Sequence, residues 1–146
     1  MSPAGSARTQ PCSEADAANR LRHARKFLEV AELLVEEGDD IEYASPAAAL
    51  AVLAGIAASD AACCRALGMR SRAQDHRQAA VLLERVAPGG KTAAKSLERL
   101  LNLKDEAHYG LFDVSGNDLK SALRQASKLV EFGTEVLGRG ARLTKR

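Results

Sequence analysis

The chain has no tryptophan, two tyrosines and three phenylalanines, and its four prolines fall at Pro3, Pro11, Pro46 and Pro88. Clusters of valine, isoleucine and threonine are also scarce, whereas alanine is abundant, so the composition excludes a sheet-built domain and predicts helices. There is no excess of either charge: the formal net charge is +2, too small for an overall field that would collect nucleic acid or an anionic membrane surface. Any such contact must come from a local patch. Cysteine is sparse as well. Cys63 and Cys64 are adjacent and Cys12 lies far away in a polar stretch, so neither a disulfide framework nor metal-ligand spacing is visible. That usage fits a reducing cytoplasm. The N-terminal MSPAGSARTQPC has no apolar core of a signal peptide, and the longest apolar run, Ala47 to Ala58, is too short to span a bilayer. Catalytic and nucleotide-binding motifs of the GxSxG, Walker, HExxH and GxGxxG types are missing. The expectation is a soluble protein with no metal, no cofactor and no membrane contact.

What is present is helical punctuation. At 146 residues the chain can bury roughly two-thirds of its unfolded surface in one core. Residues 1–12 read as a disordered tail, 13–138 as one bundle domain and 139–146 as a basic tail. Ser13 with Asp16 three residues on marks the start of a first helix that runs to about Glu37, with Leu21, Ala24, Leu28, Ala31 and Val35 inward and Arg20, Arg22, Lys26 and Glu29 on a solvated face. A second helix is expected from Ser45 as N-cap and Pro46 as first helical residue to Gly68 as C-terminal glycine. Within it Ala47, Ala51, Gly55, Ser59 and Cys63 recur every four positions, a strip of small residues along which another backbone can approach. Apolar nearly all round, this helix belongs at the centre of the fold or in a dimer interface. Asp75 and Gln78 read as a capping box for a short third helix carrying Ala79, Leu82, Leu83 and Val86, closed by Pro88-Gly89-Gly90. A fourth helix from about Thr92 to His108 and a fifth from about Asn117 to Leu137 complete an all-α, antiparallel four- to five-helix up-and-down bundle.

Few side chains are candidates for chemistry. On helix four, Lys104 and His108 stand one turn apart on the line through Leu97 and Leu101, placing a cation and an imidazole where the core stripe would continue. A histidine at a helix C-terminus also has a purely electrostatic reading, being favoured by the dipole when protonated, and Lys104 can snorkel to water. Tyr109 beside them can cover the helix end. Asp60 is the odd residue of helix two. A carboxylate on so apolar a cylinder must reach water or an arginine, and a structural ion pair with Arg70, Arg72 or Arg77 is preferred over catalysis. His76 next to Asp75 suggests an acid–base pair or metal ligand, but Asp75 is better explained as a cap. Cys63 and Cys64 point about 100° apart and read as small core residues.

The order AGIAASDAACCRALG, QDHRQAAVLLERV, RLLNLKDEAHYG and VSGNDLKSALRQASKLVEF, covering Ala47 to Leu137, resembles the HEPN superfamily of helical bundles. The resemblance implies a bundle that commonly dimerises. In many members it is a metal-free RNA endonuclease built on an arginine and a histidine with four to six residues between them; other members bind partners or are non-catalytic. Here the histidine position matches His108, but the positions for the arginine hold Leu101, Asn102 and Leu103, with Lys104 too close and Arg99 too far. Lysine lacks the planar fork of arginine for a charged transition state. Arg70 and His76, with five residues between them, satisfy the bare pattern on a connecting segment. The resulting expectation is a non-enzymatic homodimer binding RNA, a nucleotide or a cognate protein through Asp60, Arg70, Arg72, His76 and Tyr109. The alternatives are a ribonuclease of toxin or defence type using His108 and Lys104, and a helical scaffold.

Overall fold

The computed structural model describes residues 9–36, 43–72, 76–109 and 114–144, the side chains of 104–109 and 140–144 excepted. The elements in order are β1 (Thr9–Pro11), α1 (Glu14–Glu36), α2 (Ala44–Leu67), β2 (Met69–Ser71), α3 (Arg77–Leu83), α4 (Gly90–Tyr109) and α5 (Gly116–Thr144). The molecule is a helical bundle, but not purely α: β1 and β2 form a small antiparallel pair in which Gln10 lies opposite Arg70.

Local chemistry explains the ends of the long helices. At the start of α1 the Asp16 N–H donates to Ser13 Oγ at 3.0 Å and the Ser13 N–H donates to Asp16 Oδ2 at 2.9 Å, a reciprocal cap as the spacing predicts. The Ser13 N–H, helped by the Ser13 hydroxyl, holds the Asp16 carboxyl below its usual pKa. At the other end of α2, Gly68 adopts φ 72° and its N–H returns to the Cys64 carbonyl. That left-handed turn is open to glycine at little cost, and it throws the chain out of α2 directly into β2. The start of α2 departs from expectation. Tyr43 occupies the N-cap position without a side-chain cap bond, and Ser45, one residue inside the helix, instead accepts the Val114 N–H at 3.3 Å. A bond across to the start of α5 has replaced a local cap. Asp75 lies outside the described residues, and α3 opens after His76. A cis peptide joins Ala87 to Pro88 in the turn that follows.

The helices alternate in direction about α2. Arg65 and Glu14 pair at one end and Arg20 and Asp60 further along, so α1 and α2 run antiparallel. Gly55 meets Leu129, and Ala58 meets Gly133, so α2 and α5 run parallel across the bundle. They approach closely because the contact is made by small residues: a Cβ on Gly55 would stand within 2.3 Å of Leu100 Cδ1 and 3.1 Å of Leu129 Cδ1. The strip of small residues is used within one chain, and α2 is central. Ala47, Ala51, Ala54, Ala57, Ala58 and Ala61 are all fully buried. Among the described residues α2 is the one helix long and apolar enough to cross a membrane by length and composition, and 83% of that window is buried inside the molecule. Its apolarity is thus accounted for by core packing. The inward positions expected on α3 and α4, including Leu83, Leu97 and Leu100, are buried, whereas Val35 near the end of α1 is 38% exposed, in company with Val30 and Leu33.

Three further expectations are corrected. The first concerns residues 9–12, read as tail but ordered as β1 and its exit. The cause is the second correction: Cys12 is bonded to Cys64, with Cα atoms 5.4 Å apart. Cys64 is therefore not an idle core thiol, and a cysteine-based case for a reducing cytoplasm no longer holds, because such a cross-link persists in oxidising compartments. Cys63 remains the free, buried cysteine. The third concerns α5, which continues through Gly138 to Thr144 where a basic tail was expected from residue 139. Arg139 pairs with Glu135 at 2.8 Å and lies 5.6 Å from the Phe132 ring centroid, contacts that hold the turn containing Gly138.

Two stability measurements test this packing. Gly55→Ala gains about 1 kcal/mol of helix propensity but must displace a fully buried leucine, an overpacking cost of about 1–3 kcal/mol. Urea unfolding should show net destabilisation, partly relieved when Leu100→Ala is added. The disulfide closes a loop with a sequence separation of 52, for which chain entropy gives about 4 kcal/mol. Cys12→Ser, or a reductant, should lower unfolding stability by about 2–4 kcal/mol; an unchanged urea midpoint would refute a stabilising role for this bond.

Candidate active or binding site

Asp60 lies on the face of α2 that meets α1, with its side chain 8% exposed. Burial of a carboxylate without compensation is unfavourable by several kcal/mol, and two guanidinium groups answer it. Arg20 Nη2 donates to Asp60 Oδ2 at 3.0 Å, and Arg70 Nη1 stands 3.7 Å from the same oxygen. Arg70 was an expected partner; Arg20 was assigned to the solvated face of α1. The only hint in the sequence is that Arg20 precedes the inward Leu21 and follows Ala17 by three residues, so it borders the buried stripe. Arg70 is brought back to Asp60 by the Gly68 turn and held there by β1, which the Cys12–Cys64 bond fastens to the end of α2.

Burial raises the Asp60 pKa above its ordinary value and outweighs the opposing pull of Arg20, of Arg70 and, more distantly, of His76. One turn further along α2, the Cys63 thiol is pushed up to about 12, first by burial and then by the negative charge of Asp60. This thiol stays protonated and packs as a small apolar group; it is not a nucleophile.

Around the ion pair the surface opens into a cavity of about 390 Å³ lined by Arg20, Ile56, Asp60, Arg70, Ser71, Arg72, His76 and Ala79. Four elements converge here: α1, α2, β2 and the start of α3. Among the described residues, three guanidinium groups share this lining with one carboxylate, an excess of positive charge. Arg72 just beyond β2 is exposed. Asp60, Arg70, Arg72 and His76, singled out separately in the sequence, thus share one site, joined by Arg20 and Ser71. The side chains of Lys104, His108 and Tyr109 lie outside the described residues. Their backbone belongs to the last turns of α4.

A second cavity, of about 330 Å³, shares Ile56 and His76 with the first and is otherwise mainly aliphatic. Among the described residues no three His, Cys, Asp or Glu side chains converge as a metal cluster would. No family model matches the chain, and neither a curated protein nor a solved structure matches it.

The electrostatics of Asp60 can be measured directly. A folded-state pKa above the unfolded one means that the native state binds the proton more tightly, so this residue's contribution to stability falls as pH rises from the unfolded value through the folded value. Carboxyl-carbon NMR titration should place Asp60 above 3.8. Arg20→Met should raise it further and destabilise the protein at neutral pH by about 1–3 kcal/mol; a titration at or below the ordinary carboxylate value would contradict the burial argument.

Proposed function

We propose that the chain is a binding protein for a phosphate- or carboxylate-bearing ligand, held in the cavity of Arg20, Arg70, Arg72 and His76. The observation that supports this is a cavity lined by three arginines, two of which are held by one buried carboxylate among the described residues while the third, Arg72, is exposed at its edge. One carboxylate can neutralise one guanidinium, so the cavity retains cationic donors for an external anion. Asp60 then acts as an anchor: it fixes Arg20 and Arg70 in place before the ligand arrives, lowering the ordering cost of binding. This reading fits the binding, non-catalytic kind of HEPN-like bundle that the sequence resembles, with RNA or a nucleotide among the ligands that offer the required phosphate.

RNA cleavage is the second reading, favoured by one observation: Arg70 and His76, which satisfy the arginine-to-histidine spacing, line the same cavity. An imidazole could shuttle the proton while a guanidinium stabilises the charge developing on phosphorus.

Calorimetric titration with inorganic phosphate, AMP and a short RNA separates these readings. Arg72→Ala should weaken binding of all three by about 10–100-fold, the loss of one charge-assisted contact of about 1.5–3 kcal/mol, while leaving the unfolding midpoint nearly unchanged because this side chain is exposed. Absence of any anion binding would refute the proposal. RNA incubated in EDTA with the wild type, His76→Ala and His108→Ala should remain intact throughout; cleavage lost only in His76→Ala would establish the second reading, and cleavage lost only in His108→Ala would move the chemistry to the end of α4.

A further inference from the structure

The anion cavity is not isolated. Ile56 and His76 line it on one side and on the other line the cavity of about 330 Å³ whose wall includes Ala49, Val52, Leu53, Leu103 and Val114. Two adjoining spaces of opposite character therefore share one boundary: cationic toward β2, aliphatic toward the start of α2. From this juxtaposition we infer that the ligand is an amphiphile, an anionic head on a single aliphatic body, with the head among Arg20, Arg70 and Arg72 and the body against Val52, Leu53 and Val114. The inference rests on the anion-binding reading and specifies its ligand.

Three features of the second cavity select that chemistry. Its described wall is built mainly from Ala48, Val52, Leu53, Leu103 and Val114, a surface that favours hydrocarbon over water. Among the described residues its polar lining is Ser45, His76 and Asp118, and the Ser45 oxygen already accepts the Val114 N–H. Asp118 contributes a carboxylate, which repels a second anion and fixes the orientation of the ligand with its head toward the arginines. Leu53 adds a fourth consideration. It is 45% exposed, on the same exposed edge of α2 as Pro46 and Ala49, at the lining of this cavity, where an aliphatic chain would cover it.

Aliphatic burial leaves a quantitative mark: about 0.8 kcal/mol per methylene, or roughly fourfold in affinity for each carbon added. The experiment is a calorimetric series on the full chain with inorganic phosphate, butyl, hexyl and octyl phosphate, octanoate and AMP. Expected is an affinity that climbs about three- to fourfold per methylene from butyl to octyl, with octyl phosphate tighter than AMP and with Leu53→Ser flattening the climb. Octanoate binding like octyl phosphate identifies a fatty carboxylate as sufficient, and its failure beside strong octyl phosphate binding identifies an alkyl phosphate; both fit the amphiphile. Phosphate binding that is independent of chain length, or AMP tighter than octyl phosphate, overturns the aliphatic body and leaves the anion site intact. No binding of any member overturns both.

Discussion

The buried carboxylate of Asp60 constrains everything around it. Placed on the most apolar helix of the molecule, it demands positive charge from outside that helix, and the fold supplies it from two directions. Arg20 comes from α1, which fixes the pairing of α1 with α2 in register, and Arg70 comes from β2, which fixes the path of the chain after Gly68. Replacing such a group by an apolar one is often neutral or favourable for stability alone. Removing one partner while leaving the other buried is a different matter, because it strands an uncompensated charge.

The rest of the core is built so that α2 can sit at the centre. Alanine and glycine on α2 let α5 pass across the bundle close to the helix axis, and the large residues that fill the space, Leu97, Leu100 and Leu129, come from the partner helices. The buried polar residues of α2 are Ser59 and Asp60, both in its C-terminal half, where Arg65 also lies. The N-terminal half is left smooth and aliphatic, and so is the cavity that borders it. The two cavities thus inherit their difference in character from the distribution of residues along one helix.

Helical periodicity made most of the architecture legible. The capping box at Ser13, the glycine exit at Gly68, the all-round apolarity of α2 and the inward faces of α3 and α4 follow from patterns within one or two turns, where the physics is local; that α2 is covered by its own chain and not by a second copy did not. What could not be read depended on contacts between residues distant in sequence. The pairing of β1 with β2 and the bond from Cys12 to Cys64, across a separation of 52, join segments distant in sequence, and nothing within either segment reports the other. The same applies to the site. Asp60 stood out because a charge on an apolar helix is locally anomalous, and Arg70 and Arg72 because they follow a helix end. Arg20 is locally an ordinary surface arginine, and its role exists only once α1 is laid against α2. Ser45 shows the opposite failure: a good local cap was overruled by a tertiary hydrogen bond.

The covalent link between Cys12 and Cys64 also changes what a cut in the chain would do. It encloses α1 and nearly all of α2 in one ring of backbone, with Arg20 and Asp60 both inside it. A single break anywhere in that ring leaves the two pieces attached through sulfur, and the ion pair remains intramolecular. The half of the molecule that carries the charged cluster therefore keeps its identity as one unit even when its backbone is no longer continuous.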